Sequence, residues 1–251
     1  MTNHILTEKV GNVFWIRFNR ANKYNAITSE MYHALIAAFD EADNDDEVSV
    51  TVLTGSGAFY CAGSDFSATE LQNSGFLIGR VTAAQWRRIS YGQIDCEKGT
   101  NWPSDSGTVA PYKLWTDRLI LHSKLLVALV NGPAIGIACS TLGLCDVVLA
   151  SDKAARLILL SEKLSAKEAC EAGLISQVFP HESFSKEAER IVDQYSKLAR
   201  QSLLVSKQLL RPESLVDKLL TVNRKECEVL MEQFRCDETL ERMMSKFSSK
   251  I

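Results

Sequence analysis

Leu125-Leu126-Val127-Ala128-Leu129-Val130 runs directly into Asn131-Gly132-Pro133-Ala134-Ile135-Gly136-Ile137, and this junction decides the fold class. An unbroken apolar run is what a strand covered on both faces requires, and Asn-Gly-Pro ends it abruptly. A helix is expected from near Gly136, and Val147 to Ala150 reads as the next strand. The same grammar holds toward the N-terminus. Val13 to Phe18 is a β-branched and aromatic run followed by polar turn residues, Asn19 to Asn25. Thr28 or Ser29 can cap a helix whose apolar positions Met31, Leu35, Ala38, Phe39 and Ala42 share one face. Acidic residues from Asp43 to Glu47 interrupt that pattern, Val48 to Thr54 forms a second strand, and Gly55-Ser56-Gly57 turns the chain. Strand, helix, strand implies parallel pairing, so the class is α/β.

Toward the C-terminus, Ser165 with Glu168 is a capping box, Gly173 is a natural stop for that short helix, and a strand is expected over Leu174 to Phe179. Beyond Pro180 the pattern changes to long amphipathic stretches around Ala188 to Leu198, Leu203 to Leu210, Leu215 to Phe234 and Leu240 to Phe247. The chain therefore divides into a core over residues 1–180 and a helical C-terminal region over 181–251. Gly92 to Pro111 reads as a surface loop, long for a connection.

Composition narrows the function. A chain of 251 residues, 46% hydrophobic and 24% charged, can bury a core without metals or disulfides. A net charge of −3 gives no general attraction for nucleic acid or anionic membrane. Seven cysteines (Cys61, Cys96, Cys139, Cys145, Cys170, Cys227, Cys236) show no paired C-x-x-C spacing, which points to reduced thiols of an intracellular protein rather than a zinc site or a disulfide framework. Met1 to Lys9 has no apolar h-region, and no apolar run reaches membrane-spanning length. Nucleotide binding loses support as well, since Tyr60 stands where G-x-G-x-x-G needs its third glycine and no Walker A lysine pattern occurs.

Two turns follow apolar strands directly: Gly55 to Asp65, and Asn131 to Ile137. Ligands of α/β sheets favour such carboxyl ends. In the first, Cys61-Ala62-Gly63-Ser64-Asp65 is small enough for backbone N–H groups to approach a ligand closely. In the second, Gly136-Ile137 opens a helix whose first N–H groups are unpaired. One N–H from each would make an oxyanion hole. The plainer explanation of either turn alone is that its glycines allow a tight bend.

The residues taken together resemble the crotonase, or enoyl-CoA hydratase/isomerase, superfamily. Phe18-Asn19-Arg20 through Asn25-Ala26-Ile27 looks like the family's opening strand and loop, and Val52-Leu53-Thr54-Gly55 through Cys61-Ala62-Gly63-Ser64-Asp65 like its first oxyanion segment. Val130 to Ile137 looks like the second, and Leu164 to Ala169 with Gly173-Leu174 and Phe179-Pro180 like a later helix and strand. The likeness spans roughly 80% of the chain, and this many ordered motifs is more specific than any one. Asn131 to Ile137 is most similar to the peroxisomal Δ3,Δ2-enoyl-CoA isomerase branch.

The resemblance implies a crotonase-like ββα spiral with a helical C-terminal region, assembled as a homotrimer or a mixed trimer with paralogues. It implies a coenzyme A thioester as substrate, with no separate cofactor and no metal. An enolate intermediate would be held by the backbone N–H groups of Ser64 and Ile137, in a substrate site built from Cys61, Ala62, Gly63, Ser64, Asp65, Gly136 and Ala26.

The proton step also needs a general base, usually a glutamate. At the position where hydratases carry theirs, this chain has Ser140. The isomerase glutamate belongs between a strand ending near Ala150-Ser151-Asp152 and a helix beginning near Ala155. Those elements are nearly fused here, so about thirty residues of the family pattern are absent near 152–156, while 92–111 is an insertion relative to it. Glu162, Asp146, Asp65 and His122 are the substitutes at hand, and none matches the pattern. Glu162 aligns with a solvated turn, Asp146 with a structural aspartate, Asp65 with a cap, and His122 with a structural histidine.

Three readings stay open: an isomerase of fatty acid β-oxidation, an acyl-CoA-binding or assembly subunit without turnover, and, third, a hydratase. Ser249-Lys250-Ile251 resembles the S-K-L peroxisomal address read by an import receptor, with a frayed tail in a mitochondrial or cytoplasmic protein as the alternative.

Overall fold

The computed structural model describes residues 3–65, 67, 109–157, 163–234, 236 and 238. Cys96, Glu162, the stretch over 240–247, the C-terminal tripeptide and most of the loop expected over 92–111 lie outside the described residues. The last three residues of that loop, Val109 to Pro111, instead open a helix.

The first strand, β1 (Ile5–Val10), turns at Gly11, φ +60°, into β2 (Val13–Phe18), with which it pairs antiparallel. The sequence reading missed β1. Only Ile5 of its six residues is buried, so a solvated edge strand leaves no apolar alternation to read. Helix α1 (Ser29–Asn44) follows, capped by Thr28 Oγ1 accepting from Met31 N at 3.2 Å. Its buried face carries all five expected apolar residues and also Tyr32.

Then come β3 (Val50–Gly55), α2 (Val109–Leu121), β4 (Leu125–Val130), α3 (Ile137–Ser140) and β5 (Val147–Ser151). The helix expected after Gly136 is thus one four-residue turn, continued by a 3₁₀ turn over Thr141–Leu144. Ala155 opens no helix. It begins β6 (Ala155–Leu157), which pairs antiparallel with β7 (Lys163–Ser165).

Helix α4 (Ala166–Glu171) carries the expected capping box, and Gly173, φ +77°, closes it. Gly173 N bonds to Cys170 O and Leu174 N to Ala169 O, at 2.9 and 3.0 Å. This Schellman closure turns Leu174 and Ile175 back toward the helix, so β8 (Gln177–Phe179) starts three residues later than expected. The C-terminal helices are α5 (His181–Ser196), α6 (Arg200–Leu210) and α7 (Glu213–Phe234).

Among the described residues the main sheet has the order β1-β2-β3-β4-β5-β8, parallel throughout except at β1. Strand alternation sorts the core into two layers. Ile16, Phe18, Leu53, Ala128 and Ala150 face α1 and α2. Val50, Val52, Val127, Leu129 and Leu149 face Phe184, Ala188, Ile191 and Val192 of α5. Full burial of one such Leu or Ile contributes roughly 1.5–3 kcal/mol.

Candidate active site

Three strands of the parallel sheet, β2, β3 and β4, continue into a second, short extended segment before the chain turns away. Ile27 after β2 bridges in parallel to Ser64 after β3, and Cys61 bridges in parallel to Ala134 after β4. This minor ladder is the second β of the repeating ββα unit, and it sets the two glycine turns side by side. Ile27 N donates to Gly63 O and Asp65 N to Ile27 O, both at 2.8 Å, while Ile135 N donates to Cys61 O at 3.0 Å.

Side-chain amides tie the turns further. Asn25 Nδ2 donates to Ser56 O, Phe59 O and Tyr60 O at 2.9, 2.8 and 3.2 Å. Asn131 Nδ2 donates to Gly57 O at 2.8 Å, and its Oδ1 accepts from Gly55 N at 3.3 Å. Glycine is required where the backbones meet: a Cβ on Gly132 would stand 2.0 Å from Ala58 O, and one on Gly63 would stand 2.7 Å from Ile135 O.

Gly63 (φ +83°) and Gly136 (φ +59°, ψ −130°) hold backbone conformations that L side chains rarely adopt. Each turns the following peptide, and those peptides carry the N–H groups of Ser64 and Ile137. Neither amide has an acceptor among the described residues. The two turns whose amides the sequence pattern singled out lie side by side: a Cβ on Gly63 would stand 3.8 Å from Gly136 Cα.

The side chains around them are settled. Cys61 is fully buried, its thiol bonded to Asn25 O at 3.0 Å, and burial pushes its pKa up to about 12, so it stays protonated. Ala26 is half-buried, and its carbonyl accepts from Arg20 Nη1 at 3.0 Å. Gly136 is exposed, and Ala62 is half-buried. Ser64 Oγ lies 2.7 Å from the phenol oxygen of Tyr32 on α1. Behind the second turn Val130, Ala134, Leu142, Ala154, Leu164 and Ile175 line a small apolar hollow.

Asp65, Asp146 and His122, the substitute bases within the described residues, have other partners. Asp65 pairs with Arg20 Nη1 at 2.6 Å and accepts from Ser67 N at 2.8 Å. Burial opposes its ionisation, but these donors outweigh it and hold the carboxyl below its ordinary range. Asp146 accepts from Leu126 N at 2.8 Å, Lys207 Nζ at 2.8 Å and Arg211 Nη2 at 3.1 Å, which docks α6 on the core. His122 is buried, 3.0 Å from Asp43 and edge-on to Phe39. Ser140 is exposed and offers a hydroxyl, bonded to Ile137 O at 3.3 Å.

Among the described residues, no cluster of His, Cys, Asp or Glu could hold a metal ion, and no helix is long and apolar enough to cross a membrane. Sequence reading missed the roles of Tyr32, Arg20, Asn25 and Asn131. Asn25, at φ +59° in a polar turn, was the most visible of them, because asparagine tolerates that conformation and bonds backbone.

The chain is similar to known proteins in sequence and in fold. Residues 8–94 match the family model described as enoyl-CoA hydratase/isomerase. The peroxisomal enoyl-CoA delta isomerase 3 of Mus musculus is 32% identical, over 93% of this chain and 75% of that protein. Enoyl-CoA delta isomerase 2 of Rattus norvegicus is also 32% identical, and this chain spans 64% of its length. In fold, an enoyl-CoA hydratase/isomerase from Pseudoalteromonas atlantica superposes with a TM-score of 0.75 at 22% identity, over 99% of this chain and 98% of that one.

Proposed function

Because this chain belongs to the enoyl-CoA hydratase/isomerase family, we propose that it binds acyl-CoA thioesters and holds the thioester oxygen, as an enolate, between the amides of Ser64 and Ile137. The observation that carries the reading is the pair of unpaired N–H groups presented by two turns hydrogen-bonded to each other. Such donors are fixed before charge develops, and each is worth about 3 kcal/mol in a transition state. Cys61, Ala62, Gly63, Asp65, Gly136 and Ala26 form the wall around them. Coenzyme A enters as part of the substrate, so no separate cofactor is needed.

The reaction this site fits best is migration of the double bond of a 3-enoyl-CoA to C2. A base removes a proton from C2, the electron pair moves into the thioester carbonyl, and a proton returns at C4. The base typically supplies a factor of about 10² to 10⁴. The engagement of Asp65 and Asp146 favours a second reading, in which the chain binds acyl-CoA without turnover. A hydratase is disfavoured by the hydroxyl of Ser140.

The two relatives named as delta isomerases support the isomerase branch, and the mouse protein's name supports a peroxisomal address and the matching import receptor. Exposed Leu209, Leu210 and Val222 on α6 and α7 suit packing against further copies of the chain or its paralogues, as a trimer would require.

The deciding experiment follows conversion of a trans-3-enoyl-CoA to the 2-enoyl product by the wild type and by Glu162→Gln. Turnover abolished by that substitution identifies Glu162 as the base. Absence of turnover with acyl-CoA binding retained selects the second reading, and absence of binding refutes both.

A further inference from the structure

Tyr32 lies on the buried face of α1 with no exposed surface. Its ring packs against Trp115 with centroids 5.8 Å apart, and its phenol oxygen reaches Ser64 Oγ at 2.7 Å. A hydroxyl has one proton to give, and a buried O–H without an acceptor is strongly disfavoured. Among the described residues the phenol oxygen of Tyr32 has Ser64 Oγ as its hydrogen-bond partner. Either oxygen can donate across this contact; with the phenol as donor, the buried O–H is satisfied and the serine accepts. Burial, which raises the Tyr32 pKa well above its ordinary value, keeps the phenol in its donor form.

That direction leaves the Ser64 proton free to donate elsewhere. Ser64 is half-buried, and its backbone is fixed on both sides by the bonds that Gly63 O and Asp65 N make to Ile27. Its own amide is one of the two unpaired donors.

We propose that the Ser64 hydroxyl is a third donor to the enolate oxygen and that Tyr32 is the positioning residue that directs it. The inference rests on the acyl-CoA reading above. No new bond to the protein forms: as the C2–H bond breaks, the electron pair moves onto the thioester oxygen, and three protons rather than two face that charge.

The test uses acetoacetyl-CoA, whose C2 proton can leave to solvent, so no protein base is required. The pH titration of the bound ligand is followed by the near-ultraviolet absorbance of its enolate. It is measured for the full-length wild type, Tyr32→Phe, Ser64→Ala and the double variant, with butyryl-CoA affinity as the binding control. Tyr32→Phe keeps the ring against Trp115, and Ser64→Ala keeps the amide.

The wild type is expected to lower the pKa of the bound ligand below that of the free thioester. Each single variant should make enolate formation about tenfold less favourable, which is one pH unit in that titration. Because the pair acts as a unit, the double variant should match Ser64→Ala alone, with butyryl-CoA affinity, which involves no full charge on the thioester oxygen, changing less than enolate formation in each variant. Single variants that titrate like the wild type, or shifts that simply add, overturn the third donor and leave the two-amide site standing. A wild type that binds acetoacetyl-CoA without lowering its pKa overturns both.

Discussion

Gly63→Ala probes whether the two turns meet as described, because the added methyl falls between them. Its Cβ would stand 2.7 Å from Ile135 O and 3.8 Å from Gly136 Cα. Contacts shorter than 3.0 Å do not persist, so the gap must open by at least about 0.3 Å. An L residue at φ +83° also carries strain of roughly 1–2 kcal/mol. Strain and contact together should lower unfolding stability by roughly 2–3 kcal/mol. The displaced carbonyl belongs to the peptide just before Gly136, so the shift reaches the Ile137 donor. Since one donor is worth about 3 kcal/mol, a partial loss should weaken enolate binding at least about tenfold.

Gly136→Ala is the internal comparison. It is strained at φ +59°, but its Cβ meets nothing within 4 Å, so it should be the milder change in stability. Chemical denaturation read by fluorescence gives the first quantity, and the enolate absorbance of bound acetoacetyl-CoA gives the second. If Gly63→Ala is no less stable than Gly136→Ala and forms as much bound enolate as the wild type, the juxtaposition of the turns is wrong.

Two further outcomes test the frame around the site. Asp146→Ala leaves Lys207 and Arg211 without their carboxylate where α6 meets the core, and should cost about 3–5 kcal/mol in denaturant unfolding; a loss below about 1 kcal/mol would remove the case that this cluster docks the helix. For His122, burial lowers the pKa below the ordinary 6.5 despite the opposing pull of Asp43. The unfolded chain then takes up a proton that the native state refuses, so stability should fall as pH drops below about 6.5. His122→Asn should flatten that slope in denaturation measured across mildly acidic pH, and equal slopes for the two proteins would refute the assignment.

The sheet was legible because its physics is local. β2 and β4 came out at their expected bounds because both are apolar runs closed by polar turn residues. Val48 to Thr54 shifted to Val50–Gly55, within the fraying expected at an element's end. Elements governed by tertiary context were less legible. β1 is an edge with one buried residue, and Leu174 and Ile175 look like strand until the Gly173 closure claims them. The Ser64 and Ile137 amides were located through motif order, since a backbone donor leaves no mark in its own side chain. Tyr32 stayed hidden for the opposite reason. On a helix whose buried face is otherwise apolar it reads as core, and only the fold brings its hydroxyl to a residue thirty-two positions away.

The two halves of the proposed chemistry rest on different levels of structure. The proposed oxyanion hole is built first of backbone and follows the repeat itself: strand, short bridge, glycine, free amide, once after β3 and again after β4. Preserving Gly63, Gly136 and the Asn25 and Asn131 ties preserves the two proposed backbone donors, to which the Ser64 hydroxyl is a side-chain addition. A general base is a single side chain delivered by one segment, and Asp65, beside the first turn, is already claimed by Arg20. A chain without a base-bearing segment would therefore lose proton transfer while the two proposed donors stay in place. This is why the acetoacetyl-CoA titration and the 3-enoyl-CoA turnover assay measure separable properties of one site.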